Sequence, residues 1–240
     1  MVRNSATTSL AHGAWSSAWA WRKMRPLLHA AGHDLVAPSL TGLGARHHMA
    51  GLRIDLEHHV RDVLGVLEME DLRDVVLIGH SYGGMVVTGV ADRARDRIAR
   101  LVYLDAFAPH DGQSAFDLMP PERAARMEAM TAAQGDGWRL PPNPLPPDTE
   151  PQDVAFAAPR RFEQPAETFR QKLRLTGRPL TVPNEYIYCT ISGPGDGFRR
   201  FRDDAGARGW RLHEIEANHN PHVTAPQALC TLLSGIAAEG

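Results

Sequence analysis

Short, continuously apolar runs alternate along the chain with longer stretches in which apolar positions recur every three or four residues. The clearest short run is Asp74-Val-Val-Leu-Ile-Gly-His-Ser81, which breaks at Gly79, the pattern of a strand buried on both faces of a parallel sheet. Ile98-Ala-Arg-Leu-Val-Tyr-Leu-Asp105 and Asn184-Glu-Tyr-Ile-Tyr-Cys-Thr-Ile191 have the same character, and Pro or Gly punctuation follows each. His33-Asp-Leu-Val-Ala-Pro38 predicts another short strand after the helix-stopping Gly32, and residues 210–215 predict the last one. Helical patterns cover residues 19–31 and 56–68, the small-residue run 83–91, and a C-terminal stretch from near Ala225. The opening run Ala6-Thr-Thr-Ser-Leu-Ala11 is polar for a buried strand and reads as an edge strand or an ordering weak point. Strands alternating with amphipathic helices predict an α/β fold with a doubly wound, mostly parallel sheet.

Between about 110 and 183 the pattern changes. Prolines cluster at Pro120-Pro121 and through Pro141-Pro-Asn-Pro-Leu-Pro-Pro147, with short helical pieces between. Such stretches are often linkers, but candidate core strands lie on both sides of this one. The expectation is therefore a single domain over 1–240 with a small helical, Pro-rich cap inserted at about 110–183. Phe162, Phe169, Leu173 and Leu175 are candidates for the cap's pocket face.

A length of 240 residues suits one α/β domain with one sizeable core. The formal charge of -2 comes from interspersed signs, with no basic stripe for nucleic acid or anionic lipid. No run approaches the roughly 20 apolar residues of a membrane span. The N-terminal residues lack the apolar core of a signal peptide, and Cys189 and Cys230 stand far apart without a motif. Together these predict a cytoplasmic protein with two free thiols and a small-molecule partner, present as a monomer or homodimer. Only Lys23 and Lys172 among the 26 basic residues are lysine, a bias of GC-rich bacterial coding.

The chemistry enters at Gly79-His-Ser81-Tyr-Gly83, which fits Gly-x-Ser-x-Gly between an apolar strand and a small-residue helix. A serine hydroxyl is a weak nucleophile at neutral pH. It needs a sharp turn that exposes it beside a base, with backbone N–H groups facing the developing oxyanion. Flanking glycines let that strained turn form.

His12-Gly-Ala-Trp15, Trp21-Arg-Lys-Met-Arg-Pro-Leu-Leu-His-Ala-Ala-Gly-His33, Ser39-Leu-Thr-Gly-Leu-Gly44 and Gly79-His-Ser-Tyr-Gly-Gly-Met85 resemble the α/β-hydrolase branch that holds plant methyl-ester esterases and hydroxynitrile lyases. The resemblance extends to bacterial carboxylesterases of that branch, including pyrethroid- and aryl-ester-hydrolysing members. It covers nearly the whole chain and is weakest in the cap. It implies a Ser81 nucleophile and an oxyanion hole from the backbone N–H groups of Tyr82 and Ala14.

The family order of Ser, acid, His places the base late in the chain. His219, in Glu216-Ala-Asn-His-Asn-Pro-His222, is the candidate, with His222 its nearest rival. The acid is open between Asp105, at a strand end, and Asp196, in the Gly-rich loop Ser192-Gly-Pro-Gly-Asp-Gly-Phe198. Strand ends are the stiffer platforms, which favours Asp105. His47, His48, His58 and His59 read as a loop and a solvated helix face without zinc-site spacing, so no metal and no cofactor are expected.

These readings predict a carboxylesterase acting through an acyl-enzyme on a small to medium ester. Trp138, Phe156, Phe162 and Phe169 in the cap suggest a hydrophobic or aromatic one. Two alternatives are a cofactor-free lyase on the same triad and a non-hydrolytic small-molecule receptor. The hydroxynitrile lyases of the resemblance use a late lysine, and Lys172 is the only late lysine here.

Overall fold

The computed structural model describes residues 6–191 and 196–239. One six-stranded sheet organises the molecule. Its strands are β1 (Thr7–Ala11), β2 (Asp34–Val36), β3 (Val75–His80) and β4 (Ile98–Leu104) from the first half, then β7 (Asn184–Cys189) and β8 (Arg211–Ile215). The order is β2-β1-β3-β4-β7-β8, and every pairing is parallel. The intervening β5 (Arg139–Leu140) and β6 (Gln164–Pro165) form a separate antiparallel pair.

The inner strands alternate between two apolar cores, as the period of two requires when both faces are covered. Val75, Leu77, Leu101, Tyr103, Tyr186 and Tyr188 join the core on one face. Val76, Ile78, Val102, Leu104, Ile187 and Cys189 join the core on the other. Helices α2 (Leu56–Met69) and α3 (Gly83–Arg93) pack on the first face; α1 (Met24–Ala30) and α9 (Pro226–Ala238) cover the second. None of the helices among the described residues is long and apolar enough to cross a membrane.

Two sequence expectations change here. The opening strand is not at the edge: β1 is hydrogen-bonded between β2 and β3, and its Thr8 and Ser9 are buried. Ladder bonds on both sides satisfy its backbone, and β-branched threonine suits a strand, so polar side chains do not exclude an interior place. The expected helix over residues 19–31 is split into a short turn at Ala18–Trp21 and α1.

Between β4 and β7 the chain forms α4 (Pro121–Gln134), α5 (Pro151–Ala157) and α6 (Glu167–Arg170), together with the β5-β6 pair. Both longer helices begin at a proline in the first turn, where its missing N–H costs nothing. This segment is tied to the sheet's rim by Trp15, whose N–H donates to Gln164 Oε1 at 3.0 Å and whose indole donates to the Leu140 carbonyl at 2.9 Å. A second tie is Lys23, which bonds buried Asp153 of α5 at 2.6 Å and the Val223 carbonyl at 3.0 Å.

Candidate active site

β3 carries the chain to the C-terminal edge of the sheet, and Ser81 follows it at φ 55°, a left-handed conformation uncommon for a non-glycine residue. The surrounding glycines explain how the turn closes. A Cβ on Gly79 would strike Val87 and lie 2.8 Å from the Gly83 carbonyl oxygen; one on Gly83 would run into the Ala11 carbonyl, and one on Gly84 into that of Phe107. The Ser81 carbonyl accepts from Gly84 and Phe107 N–H at 3.1 Å each, fixing the turn from two sides.

His219 lies on the loop between β8 and the short helix α8 (Pro221–Thr224). Its Nε2 is 2.9 Å from Ser81 Oγ and accepts the hydroxyl proton; its Nδ1 donates to Asp105 Oδ2 at 2.6 Å. Asp105 directly follows β4 at φ 42° and is buried, and its other oxygen accepts from the Cys189 N–H at 3.3 Å. The line Ser81, His219, Asp105 thus joins the ends of β3, β4 and the β8 loop.

Asp196 goes elsewhere. Its carboxylate accepts from the Tyr188 hydroxyl at 2.5 Å and from the N–H groups of Phe198 and Arg199 at 2.9 and 3.1 Å. It therefore serves the first turn of α7 (Arg199–Ala207). Residues 192–195 of its loop lie outside the described residues. His222 is buried, stacks on Trp21 with ring centroids 4.7 Å apart and sets its edge against His80, and it makes no hydrogen bond to Ser81 among the described residues.

His80, the middle residue before Ser81, was not singled out from the sequence. Its Nε2 donates to the His219 carbonyl at 2.8 Å, so the strand that presents the serine also holds the loop carrying the imidazole. Phe198 stacks on the His219 ring at 4.7 Å. Burial, with His222 and His219 nearby, holds His80 well below the usual histidine range. Burial likewise pushes His222 to about 3 and His12 to about 4. These rings are neutral at physiological pH and act as hydrogen-bonding and packing groups.

The four clustered histidines of the sequence part company. His59 is not solvated: it is fully buried, accepting from the Tyr82 hydroxyl at 3.0 Å and donating to the Thr41 carbonyl at 2.8 Å. His58 makes the capping box of α2 with Asp55, and His47 stacks on Phe162 at 4.1 Å. Cys189, beside Asp105, is kept a protonated thiol by burial and by the Asp105 and Asp196 charges.

Ser81 opens into a cavity of about 560 Å³. Ala14 and Tyr82 both line it, and the Tyr82 N–H sits at the free N-terminal end of α3, where an amide lacks an intrahelical acceptor. Trp15, Phe107, Phe169 and Phe198 supply much of the apolar wall. Of the aromatic residues expected from the segment before β7, only Phe169 is on the lining. Phe156 packs on Trp19 instead, and Trp138 lies against Arg139. Leu173 belongs to the core and Leu175 packs against it.

A parallel sheet with a serine turn after a central strand, facing an imidazole and a buried carboxylate, defines the α/β-hydrolase class. The chain belongs to the alpha/beta hydrolase family, which it matches over residues 10–232. It is 36% identical to the carbendazim hydrolyzing esterase of Nocardioides sp. (strain SG-4G), over 95% of this chain and 98% of that protein. It is 28% identical to polyneuridine aldehyde esterase of Rauvolfia serpentina, over 95% and 94%. A solved extracellular alpha/beta-hydrolase from a Paenibacillus species, with homology to tobacco salicylic acid binding protein 2, superposes with a TM-score of 0.84. It has 29% identity, and the match covers 96% of this chain and 98% of that one.

Proposed function

We propose that the chain is a serine carboxylesterase. Ser81 attacks the ester carbonyl while His219 Nε2 takes its proton; Asp105 holds the imidazole in the tautomer that presents Nε2 and stabilises the imidazolium. The Ala14 and Tyr82 N–H groups receive the oxyanion. His219 then returns the proton to the departing alkoxide, and a water deprotonated by the same ring releases the acid from the acyl-enzyme. The observation that carries this reading is the unbroken contact from Ser81 Oγ through His219 to Asp105, at 2.9 and 2.6 Å. The esterase names of the relatives support the reaction class.

Residues 110–183 act as a cap over this site, giving the cavity a largely apolar wall suited to a small or medium ester with a hydrophobic body. Lys172 lies off the cavity, exposed, 3.8 Å from Asp117, so it lends no support to lysine-assisted cyanohydrin cleavage. The two buried free thiols suit a reduced compartment, the cytoplasm.

A fluorophosphonate probe tests the nucleophile directly. The intact protein should gain one covalent adduct, mapped by mass spectrometry to the peptide holding Ser81, and Ser81→Ala should gain none. An adduct on a different residue, or none on the intact protein, would overturn the assignment.

A further inference from the structure

Two arginines line the largely apolar cavity before Ser81. Arg123 comes from the first turn of α4 and Arg161 from the stretch after α5. Both are half-buried. Among the described residues neither has a carboxylate oxygen within 4.0 Å, whereas arginines elsewhere, such as Arg93 with Glu57 and Arg170 with Glu128, are forked onto one. Residues 192–195 read Ser-Gly-Pro-Gly and carry no carboxylate side chain.

The cavity's own carboxylates do not serve them. Asp105 is held by His219, Asp196 by Tyr188 and the amides that start α7, and Asp148 is exposed. Arg161 gives one N–H to the Asn143 carbonyl, and the Arg123 side chain makes no hydrogen bond among the described residues. Burial pushes both guanidinium groups below their ordinary range. An unpaired cation taken partly out of water is destabilising, so these two arginines cost the fold something that a bound anion would offset.

We propose that Arg123 and Arg161 select the substrate, and that the ester cleaved at Ser81 carries a carboxylate elsewhere on its apolar body. This rests on the esterase reading above. A guanidinium fork matches a planar carboxylate with two parallel N–H bonds, whereas a neutral ester of the same shape leaves both cations unpaired. Discrimination then comes from the penalty on the neutral ligand as much as from the gain with the charged one.

Matched ester pairs provide the test: monoethyl adipate against ethyl hexanoate for an acyl-side carboxylate, and para-acetoxybenzoate against phenyl acetate for an alcohol-side one. In at least one pair kcat/KM should favour the charged ester by about tenfold or more, and Arg123→Gln or Arg161→Gln should erase that preference by slowing the charged ester and speeding the neutral one. Preference for the neutral ester in both pairs, or equal slowing of both esters by the variants, would overturn the proposal. Calorimetric binding of monoethyl adipate and ethyl hexanoate to Ser81→Ala, with and without the arginine changes, reads the anion site without turnover. Tighter monoester binding that Arg→Gln abolishes supports it even if no ester is hydrolysed, an outcome that would sink only the esterase reading. Equal binding of the two, together with equal binding of para-acetoxybenzoate and phenyl acetate, sinks the anion site itself.

Discussion

The sheet's C-terminal edge and the segment between β4 and β7 meet at one cavity but are built by different rules. At the sheet edge Ser81 and Asp105 are placed by the strands they directly follow, and His219 is brought to them by a loop tied to one of those strands. Ser81 and Asp105 follow directly on β3 and β4, each at positive φ, and His80 pins the His219 loop to the same strand. Across the cavity, the lining depends on how short helices and proline-rich turns dock over the edge, through a few long-range bonds such as Trp15 to Gln164 and Lys23 to Asp153. On the proposed esterase reading, the chemistry is assigned to groups placed by the sheet and the choice of substrate to the segment docked over its edge.

The sharpest way to break this contrast is to add a methyl group to each region. Gly83→Ala drives a Cβ into the Ala11 carbonyl and should cost about 3 kcal/mol in urea unfolding. Gly137→Ala, in the outer segment, meets no atom within 4 Å and suffers only from its φ of 78°, so about 1 kcal/mol is expected. Equal costs would show that the serine turn is no more tightly built than the outer loops.

Acid should also weaken the packed interior. Burial lowers His12 and His59 to about 4 and His222 to about 3, so at pH 7 these rings are neutral in the folded and mostly so in the unfolded chain. As pH falls below about 6.5 the unfolded chain takes up protons that the folded one refuses, and each ring removes about 1.4 kcal/mol of stability per pH unit until its folded value is reached. His222→Phe, which keeps a ring against Trp21, should flatten the slope of unfolding free energy between pH 6 and 4 by about that amount. An unchanged slope would mean that His222 is protonated in the folded protein.

The smallest effect separates lining from bystander in the outer segment. Phe169→Ala should raise KM for a hydrophobic ester by about tenfold, since the ring lies on the cavity wall and stacks on Tyr82 at 5.1 Å. Trp138→Ala, off the lining, should change it less than about twofold. A larger effect of Trp138 would restore the wider aromatic pocket expected from sequence.

How far the sequence reads follows the same division. The inner strands announce themselves as apolar runs because both sheet faces are covered, and Gly79 and Gly83 mark the serine turn because no side chain fits there. The preference for Asp105 over Asp196 rests on the stiffness of strand ends; Asp105 Oδ2 lies 2.6 Å from His219 Nδ1, and Asp196 faces the Tyr188 hydroxyl. What was misread depends on distant partners. β1 reads as an edge because its side chains are polar, yet its place is set by neighbouring strands. His59 reads as solvated, but its bonds to Thr41 and Tyr82 come from other elements. Arg123 and Arg161 carry no local sign at all, since nothing in their flanking residues tells which way a guanidinium will face.

The measurement that bears most directly on the whole account is hydrolysis of p-nitrophenyl butyrate near pH 8 by the intact protein, Ser81→Ala, Asp105→Asn and Asp196→Asn, with folding verified by circular dichroism. The account predicts turnover by the intact protein, background rates for Ser81→Ala, a loss of about 10³- to 10⁴-fold for Asp105→Asn, and less than about tenfold for Asp196→Asn. Silence from the intact protein, or a folded Asp105→Asn that keeps its rate while Asp196→Asn loses it, would contradict the account.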